Sequence, residues 1–186
     1  MTEVFAALAG AALAVAALAI GMWRLGFAGQ RPPDYASGAP AFDIRSALAG
    51  PILCEGMIYG PTGRVTSRFV AQMNGVWNGD SGMMAEHFRY DSGATQDRQW
   101  RLTLNPDGTI LAEADDLVGP GRGTQVGNAV RLEYRIRLAP SAGGHVLDVI
   151  DWMYLLENGT IMNRSQFRKF GIKVAELVAT MRKVQA

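Results

Sequence analysis

Cysteine occurs once in this chain, at Cys54, and histidine twice, at His87 and His145. A single thiol can form no internal disulfide and no multi-thiolate zinc site, and two histidines leave little for a histidine-based metal centre. Neither sign of charge dominates: 18 Lys and Arg stand against 17 Asp and Glu, for a formal net charge of +1. The basic residues are scattered, so the electrostatic footprint of a nucleic-acid binder is missing. There is no G-x-S-x-G nucleophile elbow, and Cys54 has no histidine near it in sequence. Gly119-Pro-Gly-Arg-Gly123 resembles a phosphate loop but lacks its G-K-[ST] ending. Internal repeats are absent too. These absences argue against several enzyme classes and lead us to expect neither metal nor cofactor.

One long hydrophobic run is present, from Val4 to Trp23, without a charged residue. As a helix it would span about 30 Å, the thickness of a bilayer's hydrocarbon core. Trp23 and Arg24 fall where interfacial anchors belong. A cleaved signal peptide is the rival, but its apolar region is usually ~7–15 residues after a basic start, and this chain begins Met-Thr-Glu. A buried core helix is the plain alternative. Residues 1–25 are therefore expected to form a single-pass transmembrane anchor, followed by a Gly/Pro-rich linker over 26–40 and a third region from 41 to 186.

Ala41–Leu48 can make one or two helical turns before Gly50 and Pro51 stop it. Strand patterns follow at Leu53–Tyr59, Arg64–Met73, Met84–Tyr90, Arg98–Leu104 and Thr109–Asp115. The clearest alternation sets Val130, Leu132, Tyr134, Ile136 and Leu138 against Arg131, Glu133, Arg135 and Arg137, which is a half-buried antiparallel strand. Val146–Leu155 is apolar at nearly every position, so both of its faces should be covered. Asn158-Gly159 then predicts a two-residue hairpin turn, both residues tolerating positive φ. Phe170–Lys183 fits helix or strand; Gly171 and the recurring Val and Thr favour strand. Eight to ten short strands with tight turns predict an antiparallel barrel or sandwich.

Several polar residues interrupt the apolar faces. Asp148, Asp151, Asn163 and Arg164 should be bonded to one another or to backbone, because buried charge is costly when unpaired. Asp115 and Asp116 face opposite ways if the strand continues, as do Asp148 and Asp151, so neither pair suits the two-carboxylate chemistry of glycoside hydrolysis. If Asp91–Asp97 forms a hairpin loop, Tyr90 lies opposite Arg98, Phe88 opposite Trp100 and Glu86 opposite Leu102. Glu86 and Arg98 would then share a face, as a rim ion pair or a ligand anchor. Met83, Met84, Met153 and Met162 suit core filling or a pliable cavity wall.

The ordered set Glu86-His-Phe-Arg-Tyr90, Arg98-Gln-Trp100, Ala114-Asp-Asp-Leu-Val-Gly119, Gly127-Asn-Ala129, Asp151-Trp-Met-Tyr154, Asn163-Arg-Ser165 and Lys169-Phe-Gly171 resembles the bacterial family known as domain of unknown function 3833. The resemblance spans Phe42 to Lys183. It implies a lipocalin-like (calycin-type) β-barrel, here preceded by the transmembrane helix. It also implies residence in the Gram-negative envelope, where most relatives are lipoproteins, and an association with fatty-acid-modifying enzymes. No activity is established for the family, so no catalytic residue carries over. Two departures stand out: no lipobox cysteine occurs near the start, and Ile150 replaces the acidic residue that often precedes the Asp-Trp-Met-Tyr motif.

Together these readings predict an inner-membrane, single-pass protein with a lipocalin-like barrel that binds or hands over a small apolar ligand, such as a fatty acyl chain. Arg24 and Arg31 after the span favour a cytoplasmic domain by the positive-inside rule, whereas the exported relatives favour the periplasm, which we adopt. A lipid-modifying enzyme and a filled barrel that only engages other proteins remain the alternatives. The interior polar candidates are Glu86, Arg98, Trp100, Asp151, Trp152, Asn163 and Arg164. Arg164 is expected to stack on Trp100 or Trp152 near the closed end, as a late-strand arginine does in lipocalin-like barrels, and to donate to Asp151. On that reading Arg164→Ala should cost about 2–4 kcal/mol.

Overall fold

The structure, a computed structural model, describes residues 1–184, apart from the side chains of Ala19, Met22 and Trp23. Thr2–Leu25 forms one helix, α1. Its Val4, Phe5, Leu8, Leu13, Val15, Leu18 and Ile20 are all exposed. Among the described residues no helix is long and apolar enough to cross a membrane. The span expected over Val4–Trp23 includes the three undescribed side chains, and so lies partly outside the described residues.

Ten strands follow a four-residue helix, α2 (Ile44–Ala47). They are β1 (Gly50–Tyr59), β2 (Val65–Asn78), β3 (Ser81–Tyr90), β4 (Thr95–Leu104) and β5 (Thr109–Glu113). The second half comprises β6 (Gly121–Val126), β7 (Ala129–Arg137), β8 (Val146–Leu155), β9 (Ile161–Lys169) and β10 (Ile172–Lys183). Every neighbouring pair is antiparallel, and β1 pairs with β10 to close a barrel. The alternation in sequence becomes inside and outside: Val130, Leu132, Tyr134 and Ile136 are buried, while Glu133, Arg135 and Arg137 are exposed.

Two local expectations need correction, and one strand, β6, is one that the sequence patterns did not single out. Side chains there are excluded because a Cβ at Gly123 would strike Leu132 and the Arg131 carbonyl, and one at Gly121 would lie 2.9 Å from Tyr134 Cβ. The β8–β9 turn is not a two-residue turn with both φ positive. Gly159 alone has positive φ, and Leu156 and Thr160 still pair around it, which is a type I turn closed by a left-handed glycine. The β3–β4 loop is shorter than Asp91–Asp97. β4 begins at Thr95, so the register slides and Glu86 pairs directly with Arg98, Met84 with Trp100 and Phe88 with Gln96.

One end of the barrel is plugged. Phe42 N donates to Gly127 O at 2.7 Å and Ile44 N to the Gln125 side chain at 2.8 Å, which fixes the α2 segment across the opening. Phe42, Ile44 and Leu48 are thereby buried in the core. The other end carries the β1–β2, β3–β4, β5–β6, β7–β8 and β9–β10 connections and stays open.

The Gly/Pro-rich stretch does not behave as a free linker. Phe27–Gly29 and Pro32–Tyr35 form short 3-10 helices. Phe27 and Tyr35 pack on the outer face of β8 against Trp152, Ile150 and Tyr154. Gln30 accepts hydrogen bonds from the hydroxyls of Tyr35 and Tyr154, the latter at 2.7 Å. This covering explains why β8 is apolar on both faces.

Candidate functional site

The interior holds a cavity of about 590 Å³, running from Tyr90, Ser92 and Ser141 at the open end down to Leu48 at the plug. Its walls are mostly apolar, with Phe69, Phe88, Phe167, Ile136, Leu138 and Leu147 in the half nearer the opening. A larger concavity of about 1040 Å³ lies along β1–β4, where Leu53, Gln72, His87 and Asp97 of the outer face line it together with Glu86, Arg98 and Asp116. The interior cavity is the candidate site.

A polar cluster interrupts its apolar wall at mid-height. Arg98 projects inward from β4 and donates from Nε to Asp116 Oδ2 at 2.8 Å and from Nη2 to Asp116 Oδ1 at 3.2 Å. Its guanidinium lies 4.0 Å from the centre of the Trp100 ring. Trp100 and Tyr134 meet edge to face at 5.2 Å. Two paired faces, carboxylate and indole, therefore hold the one arginine in this cluster.

Glu86 sits directly across from Arg98 on β3 and is buried. Its Oε2 lies 3.9 Å from Arg98 Nη1, beyond hydrogen-bond reach, and finds no partner. Burial pushes the Glu86 carboxyl up to about 7, with Arg98 pulling the other way and Asp151 and Asp116 adding to the rise. Asp151 enters from β8 and accepts from Ser165 Oγ at 2.8 Å and from Asn163 Nδ2. Burial raises its pKa as well, against the pull of Ser165, Asn163 and Arg98. Burial also raises the Tyr134 hydroxyl. Three carboxyls thus surround one guanidinium in a mostly buried site, which can accept hydrogen bonds and hold a proton near neutral pH. Cys54 also lines the cavity, but burial pushes its thiol up to about 12, so it is no nucleophile there.

Five of the seven interior candidates come together: Glu86, Arg98, Trp100, Asp151 and Asn163 all line the cavity. Trp152 and Arg164 do not. Each follows or precedes an inward residue on its strand, so each points outward. Trp152 is fully buried outside the barrel, under Phe27 and Tyr35. Arg164 pairs across the outer face with Trp152, donates to Glu176 Oε1 at 2.5 Å and covers the Phe27 ring at 4.9 Å. It contacts neither Trp100 nor Asp151, contrary to expectation.

Asp116, Tyr134 and Ser165 were not among the candidates. The alternation of β7 already put Tyr134 on the apolar face; Ser165 shares the face of Asn163 two residues before it on β9, while the Asp116–Arg98 pairing spans a loop and left no signal. The predicted cost of Arg164→Ala also changes. Its side chain is 47% exposed, and Glu176 keeps Lys173 at 2.9 Å, so the loss should be about 1 kcal/mol or less by urea unfolding. A loss nearer 3 kcal/mol would restore the buried assignment.

Comparison with known proteins supports the fold. The S-type phycobiliprotein lyase CPES from Guillardia theta superposes with a TM-score of 0.57 at 9% identity, over 77% of this chain and 92% of that one. Rv2717c from M. tuberculosis superposes at 0.55 with 16% identity, over 80% of this chain and 99% of that one. Both likenesses concern the lipocalin-like antiparallel barrel alone. No curated protein matches the chain in sequence. The sequence profile of one family does match, over residues 22–183, and the chain belongs to that family, described as Protein of unknown function (DUF3833).

Proposed function

We propose that this protein is a membrane-tethered barrel that holds, or hands over, a small and mostly apolar molecule such as one with a fatty acyl chain, at the cell envelope. The observation that carries this reading is the interior cavity of about 590 Å³, plugged at one end and open at the other. Small-molecule pockets run ~300–1,000 Å³, mostly apolar with a few placed polar groups, and this cavity has that character. Native mass spectrometry of the detergent-purified full chain is the test. We expect an adduct of lipid mass that is lost when Phe88→Trp narrows the channel; a clean apoprotein spectrum from freshly isolated membranes goes against the reading.

The tether rests on α1. Its 24 residues extend about 36 Å as a helix, and Val4, Phe5, Leu8, Leu13, Val15, Leu18 and Ile20 on it are exposed, a pattern suited to lipid rather than water. We place the barrel on the periplasmic side of the inner membrane. A C-terminal alkaline phosphatase fusion should therefore be active, and an expressed but inactive fusion reverses the topology. The lyase neighbour, an enzyme by name, keeps a second reading in view, in which Glu86 moves a proton on the bound molecule.

A further inference from the structure

The proposed cavity has an apolar half and a polar middle, and the chemistry of that middle selects among apolar ligands. A fatty acid entering head first would need a free cation or a set of donors. Arg98 is already bound bidentately by Asp116 and covered by Trp100. Ser165 and Asn163 spend their donors on Asp151. Arg98 Nη1 makes no hydrogen bond and faces Glu86 at 3.9 Å, and beside it stands an open acceptor: Glu86 Oε2, buried, without a partner and on the cavity wall. Glu86, Asp116 and Asp151 outnumber the single guanidinium beside them, so the local field repels a second anion and attracts a donor. Among the described residues no three His, Cys, Asp or Glu side chains gather in a way that could hold a metal ion.

Resting on the cavity-binding reading above, we propose that the ligand carries a hydrogen-bond-donating, non-anionic head, a primary amine or a hydroxyl, which docks on Glu86 Oε2. Its apolar tail then lies between Phe69, Phe88 and Phe167 towards the open end. A carboxylate or phosphate head should bind more weakly there, since three carboxyls share the site with one guanidinium. A donor head supplies the bond that Glu86 lacks, and burying such a group unpaired is costly on either partner. The near-neutral proton affinity of Glu86 fits this role, since an approaching ammonium favours its ionised form.

The test compares decylamine, decanol and decanoate, which share one tail and differ in head. Binding to the full chain in zwitterionic nanodiscs is measured by titration calorimetry at about pH 8, with empty discs subtracted. Decylamine and decanol should bind roughly tenfold or more tightly than decanoate, the factor expected for one hydrogen bond to a charged group. Glu86→Gln, nearly isosteric and checked for its unfolding midpoint, should shrink the decylamine-to-decanoate ratio. Decanoate binding as well as decylamine, or a ratio unchanged in Glu86→Gln, overturns the head-group assignment while leaving the cavity reading intact. Binding of none of the three removes both.

Discussion

Trp152→Ala is expected to lower the stability of the protein by about 3–5 kcal/mol, the range for emptying a large buried aromatic site. Trp152 has no exposed surface. It lies 5.1 Å from the Tyr35 ring and stacks almost parallel to Tyr154 at 5.8 Å, with Phe27 in the same cluster. Those contacts hold the segment between α1 and the barrel, so the loss should include its release. Its indole Nε1 is buried without a partner, which makes Trp152→Phe much milder: most of the ring surface stays and a stranded donor goes. Urea unfolding gives the magnitude, and limited proteolysis between Gln30 and Ser37 shows the release. An alanine variant of wild-type midpoint, still resistant to protease, would mean that this outer cluster holds nothing together.

Glu86→Gln should instead stabilise the protein, and only at higher pH. Burial raises the Glu86 carboxyl from 4.5 to about 7 in the folded state, so the folded protein binds its proton more tightly than the unfolded chain does. The sign follows from linkage. The stability this group confers is fully present below about pH 4.5, declines as pH rises, and is lost above about pH 7. The facing groups are Arg98, Trp100, Asp116, Asp151 and Tyr134; Arg98 and Trp100 oppose the rise, and Asp151 and Asp116 add to it. A shift of this size corresponds to a difference on the order of 3 kcal/mol between the two pH limits. Glutamine imitates the protonated form at every pH. Thermal unfolding of wild type and variant should therefore coincide near pH 4.5 and separate by several degrees at pH 8. Curves that stay parallel across that range would show Glu86 already ionised when folded.

The barrel and most of its inward faces were legible because strand periodicity needs no long-range knowledge. β2, β3, β4 and β7 each show their alternation in plain order, and the inward rows Glu86–Phe88–Tyr90 and Arg98–Trp100–Leu102 follow from it. The same rule, applied consistently, also rejects Trp152 and Arg164 from the interior. Asp151 and Trp152 are adjacent, so one of them must face out, and Arg164 separates two inward residues, Asn163 and Ser165. A family-level analogy overrode the period there. The Glu86–Arg98 register failed for a different reason: it depends on where a loop ends, and Asp91–Asp97 offers several polar residues that suit either a turn or a strand. The Asp116–Arg98 bond was out of reach, since the pairing exists only once β4 and the β5–β6 connection are brought together in space.

The seam between β1 and β10 has a kinetic meaning. Ile52 pairs with Lys183 and Tyr59 with Glu176, so the earliest strand waits for the last before the cylinder can shut. During synthesis the β1–β2–β3 meander must persist with an open β1 edge, its peptide groups ready to join any extended segment nearby. Contacts so distant along the chain place folding in the slow millisecond-to-second regime typical of β topologies. The exposed edge is the period of greatest risk for aggregation. A protein of this build should depend on whatever shields nascent strands until its final residues arrive.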